Sequence, residues 1–284
     1  FQLISMILVC TVLLTTVLGL TAFAGGDDTI IVSGLNGDAT RIEKGTSMIL
    51  VASGDIAVTW SVTDLDGSET DLAAVESINK QSCIFTASED AYGTVKVIAT
   101  DVIGNKGEKI IRITSENLVT VDDKDSSIKY VSSGSGTAWE EIENSGYYLG
   151  TGKCVMPPED GSYSDSEPAY AEFTFTGTGI QWIGESNFLC GIAEVYIDGE
   201  KVATVDSFTA PKIINQFVNF SMEGLPYGEH TIKIVATGLK NAASTQYPGT
   251  RVLVDAFRYI TETPQVQPIA VLTGPDSVKP DSSF

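Results

Sequence analysis

Apolar and polar residues alternate with a period of two through most of the stretch 170–259. In segment 171–176, which reads AEFTFT, one alanine and two phenylalanines share one face and polar side chains share the other. Glycine-rich breaks separate such runs every ~8–12 residues. The dipeptide Asp198-Gly199, between AEVYI and KVATV, predicts a two-residue hairpin. The pattern is typical of an antiparallel β-sandwich and not of a nucleotide-binding or helical enzyme core.

A second alternating region lies earlier in the chain. The strand-like runs there are 29–33, 47–53, 57–63, 83–86, 94–100 and 109–114, with Gly- and Asp-containing turns between them. The stretches KGTSMILVASGDIAVTWSVTD and AYGTVKVIATD resemble a bacterial Ig-like domain, which we place at 28–116. Trp60 is expected in the core between its sheets. The resemblance implies a spacer that holds other modules away from a cell surface.

The later region is placed at 118–261 and carries a second resemblance. Its stretches FTFTGTGIQWIG, IAEVYIDGEKVATVD, GEHTIKIVATGLKNAAS and VDAF are similar to galactose-binding-like jelly-roll modules, the carbohydrate-binding-module-like domains of secreted bacterial glycosidases and surface proteins. The resemblance implies carbohydrate binding without catalysis. The expected fold class is therefore all-β, an Ig-like sandwich followed by a jelly-roll sandwich, with an N-terminal signal helix.

The two ends of the chain carry segments of a different kind. Residues 1–24 are apolar, uncharged and end in Ala22-Phe23-Ala24, the small-x-small pattern of a signal peptide cleavage site. A retained membrane anchor is the alternative, since the apolar run is near the short limit for spanning a bilayer. Residues 262–284 contain a linker and then IAVLTGPDSVKPDSSF, which resembles the start of a cohesin-like module. We expect a secreted, extracellular or cell-surface chain that is one piece of a longer modular protein.

The charge balance narrows the range of partners. The chain holds 37 acidic and 17 basic residues, a formal net charge of −20. Such a surface repels nucleic acid and anionic lipid, so we expect neither nucleic-acid binding nor membrane insertion after signal cleavage. Spare carboxylates suit a hard cation such as calcium, although a merely soluble secreted surface explains the same excess.

Strand parity predicts where a ligand binds. If successive strands alternate in direction, with turns at 177–179 and 221–228, the long irregular segments 132–169, 184–191, 206–213 and 238–250 gather at one end of the second sandwich. Recognition commonly resides on loops held by a rigid scaffold. A sugar needs an aromatic face for its C–H surface and carboxylates or amides for its hydroxyls. The candidate ligand-binding residues at that end are Tyr147, Tyr148, Glu185, Asn187, Phe188, Asn241 and Tyr247. The alternative for each aromatic is that it plugs the end of the core.

A structural calcium site is the second candidate. Asp255 falls on the strand face shared by Leu253 and Phe257, and a buried carboxylate there needs a cation or several hydrogen-bond donors. The resemblance to galactose-binding-like modules implies such a calcium, and Asp122 and Asp123 supply further carboxylates. Hydrogen-bonded or exposed carboxylates are the alternative.

Cysteine and histidine usage argues against other chemistry. Cys83, Cys154 and Cys190 follow the signal segment, an odd number, so Cys154 and Cys190 could pair or all three could be small apolar fillers. His230 is the only histidine, and no C-x-x-C pair, G-x-S-x-G elbow or phosphate-binding glycine loop occurs.

The sequence therefore predicts non-catalytic binding of a polysaccharide or glycan by the second sandwich, and not an enzyme. One alternative is a structural or adhesion module that binds protein, and another is an accessory fragment of a glycoside hydrolase whose catalytic domain lies elsewhere.

Overall fold

The computed structural model describes residues 29–133, 137–158, 168–245 and 249–261. The predicted signal peptide 1–24, the predicted linker and cohesin-like segment 262–284, and Tyr247 lie outside these residues. The described chain is nearly all-β, and it contains no helix long and apolar enough to cross a bilayer. Its strands are β1 (Val32–Gly34), β2 (Arg41–Ile42), β3 (Ser47–Ala52), β4 (Val58–Asp64), β5 (Ala73–Ser77), β6 (Ser82–Ala87), β7 (Gly93–Asp101), β8 (Lys106–Ile113), β9 (Leu118–Asp122), β10 (Ile128–Val131), β11 (Glu140–Glu143), β12 (Thr151–Val155), β13 (Tyr170–Ser186), β14 (Ile192–Ile197), β15 (Glu200–Asp206), β16 (Ile214–Leu239), β17 (Val252–Val254) and β18 (Ala256–Ile260), with one short 3-10 helix at Tyr148–Gly150.

Strands β1–β8 form a first sandwich of two sheets. One sheet pairs β1, β3, β6 and β5 and continues into the second sandwich, because β3 pairs with β16 at Ser47 and Phe217. The other sheet has the order β2-β8-β7-β4. Burial alternates residue by residue along β8, as its sequence KGEKIIRI requires of a strand with one wet face. The inward side chains of both sheets, including Phe85 and Ile111, make one apolar core.

Strands β9–β18 form a second sandwich built around two long strands. β13 and β16 pair antiparallel over nearly all of β13, and the pairing register shifts between Gly177 and Gly179. The turns expected at 177–179 and 221–228 are therefore wrong, because both segments lie within continuous strands. A Cβ on Gly177 would lie 2.1 Å from the backbone oxygen of Ile260, so this glycine allows close strand approach instead of chain reversal.

The core of the second sandwich is apolar and aromatic. Phe173 stacks on Phe257 with ring centroids 5.3 Å apart. Trp182 is buried as expected, and its indole N–H donates to the backbone oxygen of Leu253 at 2.9 Å. A third sheet has the order β11-β12-β17. Its strand β17 is followed directly by Asp255, the single residue between β17 and β18.

The first sandwich packs on the outer face of the sheet that contains β13, β16 and β18. Ile183, Val218 and Ala256 from these strands belong to the apolar core of the first sandwich. The fully buried guanidinium of Arg258 donates to the hydroxyl of Thr46 at 2.9 Å. The two sandwiches thus share a buried interface.

Candidate functional site

Three loops of the second sandwich meet at one end. The backbone N–H of Thr209 donates to the oxygen of Asn187 at 3.2 Å, and that of Gly191 donates to the oxygen of Arg251 at 2.9 Å. The Asn241 amide donates to Asp206 at 2.5 Å. We call the loops 187–191, 207–213 and the described residues 240–245 and 249–251 the loop cluster. Three of the four segments expected to gather do so, and the long strands β13 and β16, not extra turns, bring them together.

A buried polar group lies beneath the loop cluster. Glu185, near the end of β13, is 3% exposed. One carboxylate oxygen accepts from the Arg251 guanidinium at 2.8 Å, and the other accepts from the Tyr147 hydroxyl at 2.6 Å. Burial, together with this bond to a carboxylate, raises the pKa of Tyr147. The phenol therefore stays protonated and keeps donating at any physiological pH.

These bonds assign a supporting position to several predicted ligand residues. Tyr147 is 4% exposed and packs with Cys154 and Leu253, so its ring does not present a face to solvent. Asn187 is also 4% exposed, and its side-chain oxygen accepts from the backbone N–H of Leu189 at 2.8 Å. With Glu185 they form the base on which the loops rest, so a direct stacking contact with a sugar is wrong for Tyr147 in this conformation.

The remaining predicted ligand residues are more accessible. Phe188 and Asn241 are half-buried in two neighbouring loops of the cluster. The hydroxyl of Ser244 lies 3.5 Å from the backbone oxygen of Phe188 and ties the two loops. Tyr148 is half-buried and packs against the core of the first sandwich. Phe188 and Asn241 are thus the more accessible of the predicted residues in the described loop cluster, and the Asn241 side-chain oxygen also accepts from the backbone N–H of Ala243 at 2.7 Å.

Arg251 was missed by sequence reasoning. It directly precedes β17, and its side chain is 18% exposed. Glu185 lies 66 residues earlier, so no local spacing predicts their pairing. No Asp or Glu lies between residues 231 and 254, so the sequence around Arg251 gives no signal of its acidic partner.

The three described cysteines are free and buried. The thiol of Cys190 lies 3.4 Å from the side-chain oxygen of Asn187, and burial raises its pKa. Burial also raises the pKa of Cys154, and that of Cys83 to about 12. All three are buried, unreactive thiols, and the possible Cys154–Cys190 disulfide is not formed.

The predicted calcium ligands lie where β9 meets β17 and β18. Asp255 is fully buried; one oxygen accepts from the backbone N–H of Tyr148 at 2.8 Å and the other has no partner. Burial raises its pKa to about 8. Asp123 is 1% exposed; one oxygen accepts from the Thr151 hydroxyl at 2.9 Å, the other has no partner, and burial raises its pKa. One buried oxygen of Asp122 is likewise without a partner.

The donor chemistry of this carboxylate cluster suits a hard cation, since unpaired buried carboxylate oxygens are costly and calcium prefers oxygen ligands. Its geometry is less complete. Among the described residues no group of three or more His, Cys, Asp or Glu side chains is arranged to hold a metal ion. A cation there would have to draw Asp122, Asp123 and Asp255 closer together.

Comparison with known proteins gives partial similarities. No protein-family profile matches the chain. It is 37% identical over 117 residues to an A type blood N-acetyl-alpha-D-galactosamine deacetylase of Flavonifractor plautii, and 37% identical over 116 residues to an A type blood alpha-D-galactosamine galactosaminidase of the same organism. Each match covers 41% of this chain, but only 13% and 9% of the respective relative.

Similar solved structures include a Paenibacillus xanthan lyase, with 13% identity, a TM-score of 0.33, and coverage of 78% of this chain and 20% of that one. A Clostridium perfringens ZmpB structure with CBM51-2 bound to GlcNAc has 14% identity, a TM-score of 0.26, and coverage of 74% and 44%. SGBP-B from a xyloglucan utilization locus of Bacteroides uniformis has 12% identity, a TM-score of 0.26, and coverage of 81% and 71%. TM-scores this low carry no argument about function.

Proposed function

We propose that the second sandwich binds a glycan at its loop cluster without catalysing a reaction, in a secreted modular protein. The observation that carries this proposal is the match to two enzymes with different reactions, one a deacetylase and one a galactosaminidase. Each match covers a small share of the enzyme. Because similar segments occur in enzymes that catalyse two different reactions, the shared segment supports an accessory, ligand-binding role. The sugar that both names share is an A type blood galactosamine, which is therefore the expected ligand class.

The geometry of the loop cluster supports the same function. Phe188 offers an aromatic surface for the C–H face of a sugar ring. Asn241 fixes the adjacent loop, because its amide donates to Asp206 and its side-chain oxygen accepts from the backbone N–H of Ala243. Glu185 has both oxygens engaged by Arg251 and Tyr147, so it serves as a support and not as a free acid or base. The base rigidifies the loops and thereby lowers the ordering cost of binding.

Glycan-array binding followed by calorimetry tests this proposal. The probes are oligosaccharides ending in N-acetyl-α-D-galactosamine or in α-D-galactosamine. Phe188→Ala should weaken binding several-fold, since an aromatic contact contributes about 0.5–1.5 kcal/mol. Tyr227→Ala is the matched control, because Tyr227 is 48% exposed in β16, on the segment that bulges out opposite Gly177 and Gly179. Absence of binding to every glycan would favour the protein-binding adhesion alternative.

The carboxylate cluster is proposed to bind a structural calcium ion. The unpaired buried oxygens of Asp122, Asp123 and Asp255 support this. The ion would offset the repulsion among the carboxylates and fix the junction of β9, β17 and β18. A melting temperature that does not change between excess calcium and EGTA would exclude it.

A further inference from the structure

A cleft of about 470 Å³ lies between the first sandwich and the loop 207–213 of the loop cluster. The first sandwich forms one wall with β5, β6 and the turn between them. The loop 207–213 of the second sandwich forms the opposite wall. The lining includes Leu35, Glu76, Ile78, Phe208, Pro211 and Lys212. Its volume is within the ~300–1,000 Å³ range of small-molecule sites.

The lining combines apolar surfaces with uncharged hydrogen-bonding groups. Leu35 and Ile78 are 51% and 45% exposed, so the cleft contains solvent-facing apolar surface. Hydroxyls and an amide from Ser77, Asn79 and Thr209 lie among the apolar groups.

Charge within the cleft is balanced. Its two charged lining residues, Lys212 and Glu76, form an ion pair with each other across the two walls. Both side chains are largely exposed, at 43% and 63%, so the pair contributes little to holding the sandwiches together. In a chain of net charge −20, this cleft is locally neutral and favours an uncharged ligand.

The cleft is continuous with the loop cluster. Phe208, in its wall, is bridged to Asn187, the residue directly before Phe188. The neighbouring Thr209 donates its backbone N–H to the oxygen of Asn187. If one sugar unit of an oligosaccharide contacts Phe188, the neighbouring units are therefore close enough to contact the cleft.

We propose that this cleft binds further units of a neutral oligosaccharide, so that the first sandwich supplies one wall of the glycan site and is more than a spacer. The proposal rests on glycan binding by the loop cluster. A sugar ring fits the lining because its C–H faces pack on Ile78, Phe208 and Pro211, while its hydroxyls meet uncharged polar side chains.

The test compares a monosaccharide glycoside with longer oligosaccharides that carry the same terminal sugar, by calorimetry on the full chain. Ile78→Asp should weaken the longer ligands about fivefold or more and leave the monosaccharide unchanged. Phe188→Ala should weaken both. The matched control is Ile110→Asp, since Ile110 is 57% exposed on the other sheet of the first sandwich. Ile78→Ser is the milder variant should Ile78→Asp fail to fold.

The binding measurements on the Phe188 and Ile78 variants distinguish the cleft proposal from glycan binding by the loop cluster. If Phe188→Ala weakens binding while Ile78→Asp and Ile78→Ser behave like Ile110→Asp, the cleft proposal is overturned and glycan binding by the loop cluster stands. If no oligosaccharide binds the unaltered chain, both are overturned. If the Ile78 variants impair binding of an extended peptide to the edge strand β5 and not of glycan, the cleft is a protein site and the proposal is again overturned.

Discussion

Glu223 in β16 accepts hydrogen bonds from Thr40 with both carboxylate oxygens. One accepts from the backbone N–H of Thr40 at 2.9 Å, and the other accepts from its hydroxyl at 2.6 Å. Thr40 directly precedes β2, so these bonds join the edge of the first sandwich to the second. Together with the bond from Arg258 to Thr46, they add hydrogen bonds of fixed geometry to the apolar contacts of the interface.

Removing the Glu223 carboxylate should loosen this junction. We expect Glu223→Ala to lower the free energy of unfolding by about 0.5–1.5 kcal/mol, because Thr40 is exposed and water can replace the lost acceptor. It should also separate the unfolding of the two sandwiches into distinct calorimetric transitions. Glu200→Ala, at an exposed hairpin position, is the control. A single transition at an unchanged temperature in Glu223→Ala would contradict the prediction.

Asp255 should make the metal-free protein less stable as pH rises. Its folded pKa of about 8 is above the ordinary value of 3.8, so the folded state holds a proton that the unfolded state releases between these values. The stability is fully present below about pH 4 and is lost as pH rises to 8, by at most about 1.4 kcal/mol per pH unit.

Urea unfolding in EGTA across this pH range, compared with Asp255→Asn, isolates the effect. Asparagine keeps the bond from the Tyr148 N–H and carries no charge, so its stability should decline less. Added calcium should recover stability at pH 8 in the unaltered chain and less so in Asp255→Asn. Parallel pH profiles for the two proteins would show that Asp255 does not titrate as stated.

His230 should titrate above its usual range. One ring nitrogen lies 2.7 Å from the Pro226 backbone oxygen and the other lies 2.7 Å from the Asp198 carboxylate. Both partners only accept, so both ring nitrogens must carry protons to satisfy them. The bond to Pro226, followed by that to Asp198, raises the pKa of His230.

Proton NMR can follow this residue without ambiguity because the chain has one histidine. Asp198→Asn should lower the pKa of His230. The stability that the imidazolium contributes is present below pH 6.5 and is lost as pH rises through the folded pKa. A pKa for His230 at or below 6.5 in the unaltered chain would disprove the doubly protonated state.

Arg251 should be essential to the support of the loop cluster. Arg251→Met leaves the Glu185 carboxylate buried without its cation, which costs about 3–5 kcal/mol. The double variant Glu185→Gln/Arg251→Met should recover part of that loss, because no unpaired charge remains. Urea unfolding of the three proteins measures the coupling, and additive effects would show that the two side chains act independently.

Period-two alternation was sufficient to predict the all-β class and most strands. It placed strands at 47–53, 57–63 and 94–100, and β3, β4 and β7 lie there within about a residue of each predicted end. It failed at Gly177, where local sequence resembles a turn but the pairing of β13 with β16 continues on both sides. Glycine permits both outcomes, and only the partner strand decides between them.

The loop cluster was predictable in position but not in detail. Segment 184–191 was expected at the ligand end, yet the partners of the buried Glu185 are Arg251 and Tyr147, which are distant in sequence. The cleft was not predictable, because its two walls belong to different sandwiches and neither wall contains a recognisable motif.

The buried outer face of β13, β16 and β18 has a consequence for how this chain can be cut and recombined. If the two sandwiches were separated at the short connection between β8 and β9, Ile183, Val218 and Ala256 would be exposed to water. Arg258 would also lose its bond to Thr46. A grafted second sandwich would thus expose an apolar patch beside a guanidinium that keeps its bond to Thr120 and loses the one to Thr46. The smallest portable piece of this chain is both sandwiches together, and fusion or shuffling experiments should move them as a pair.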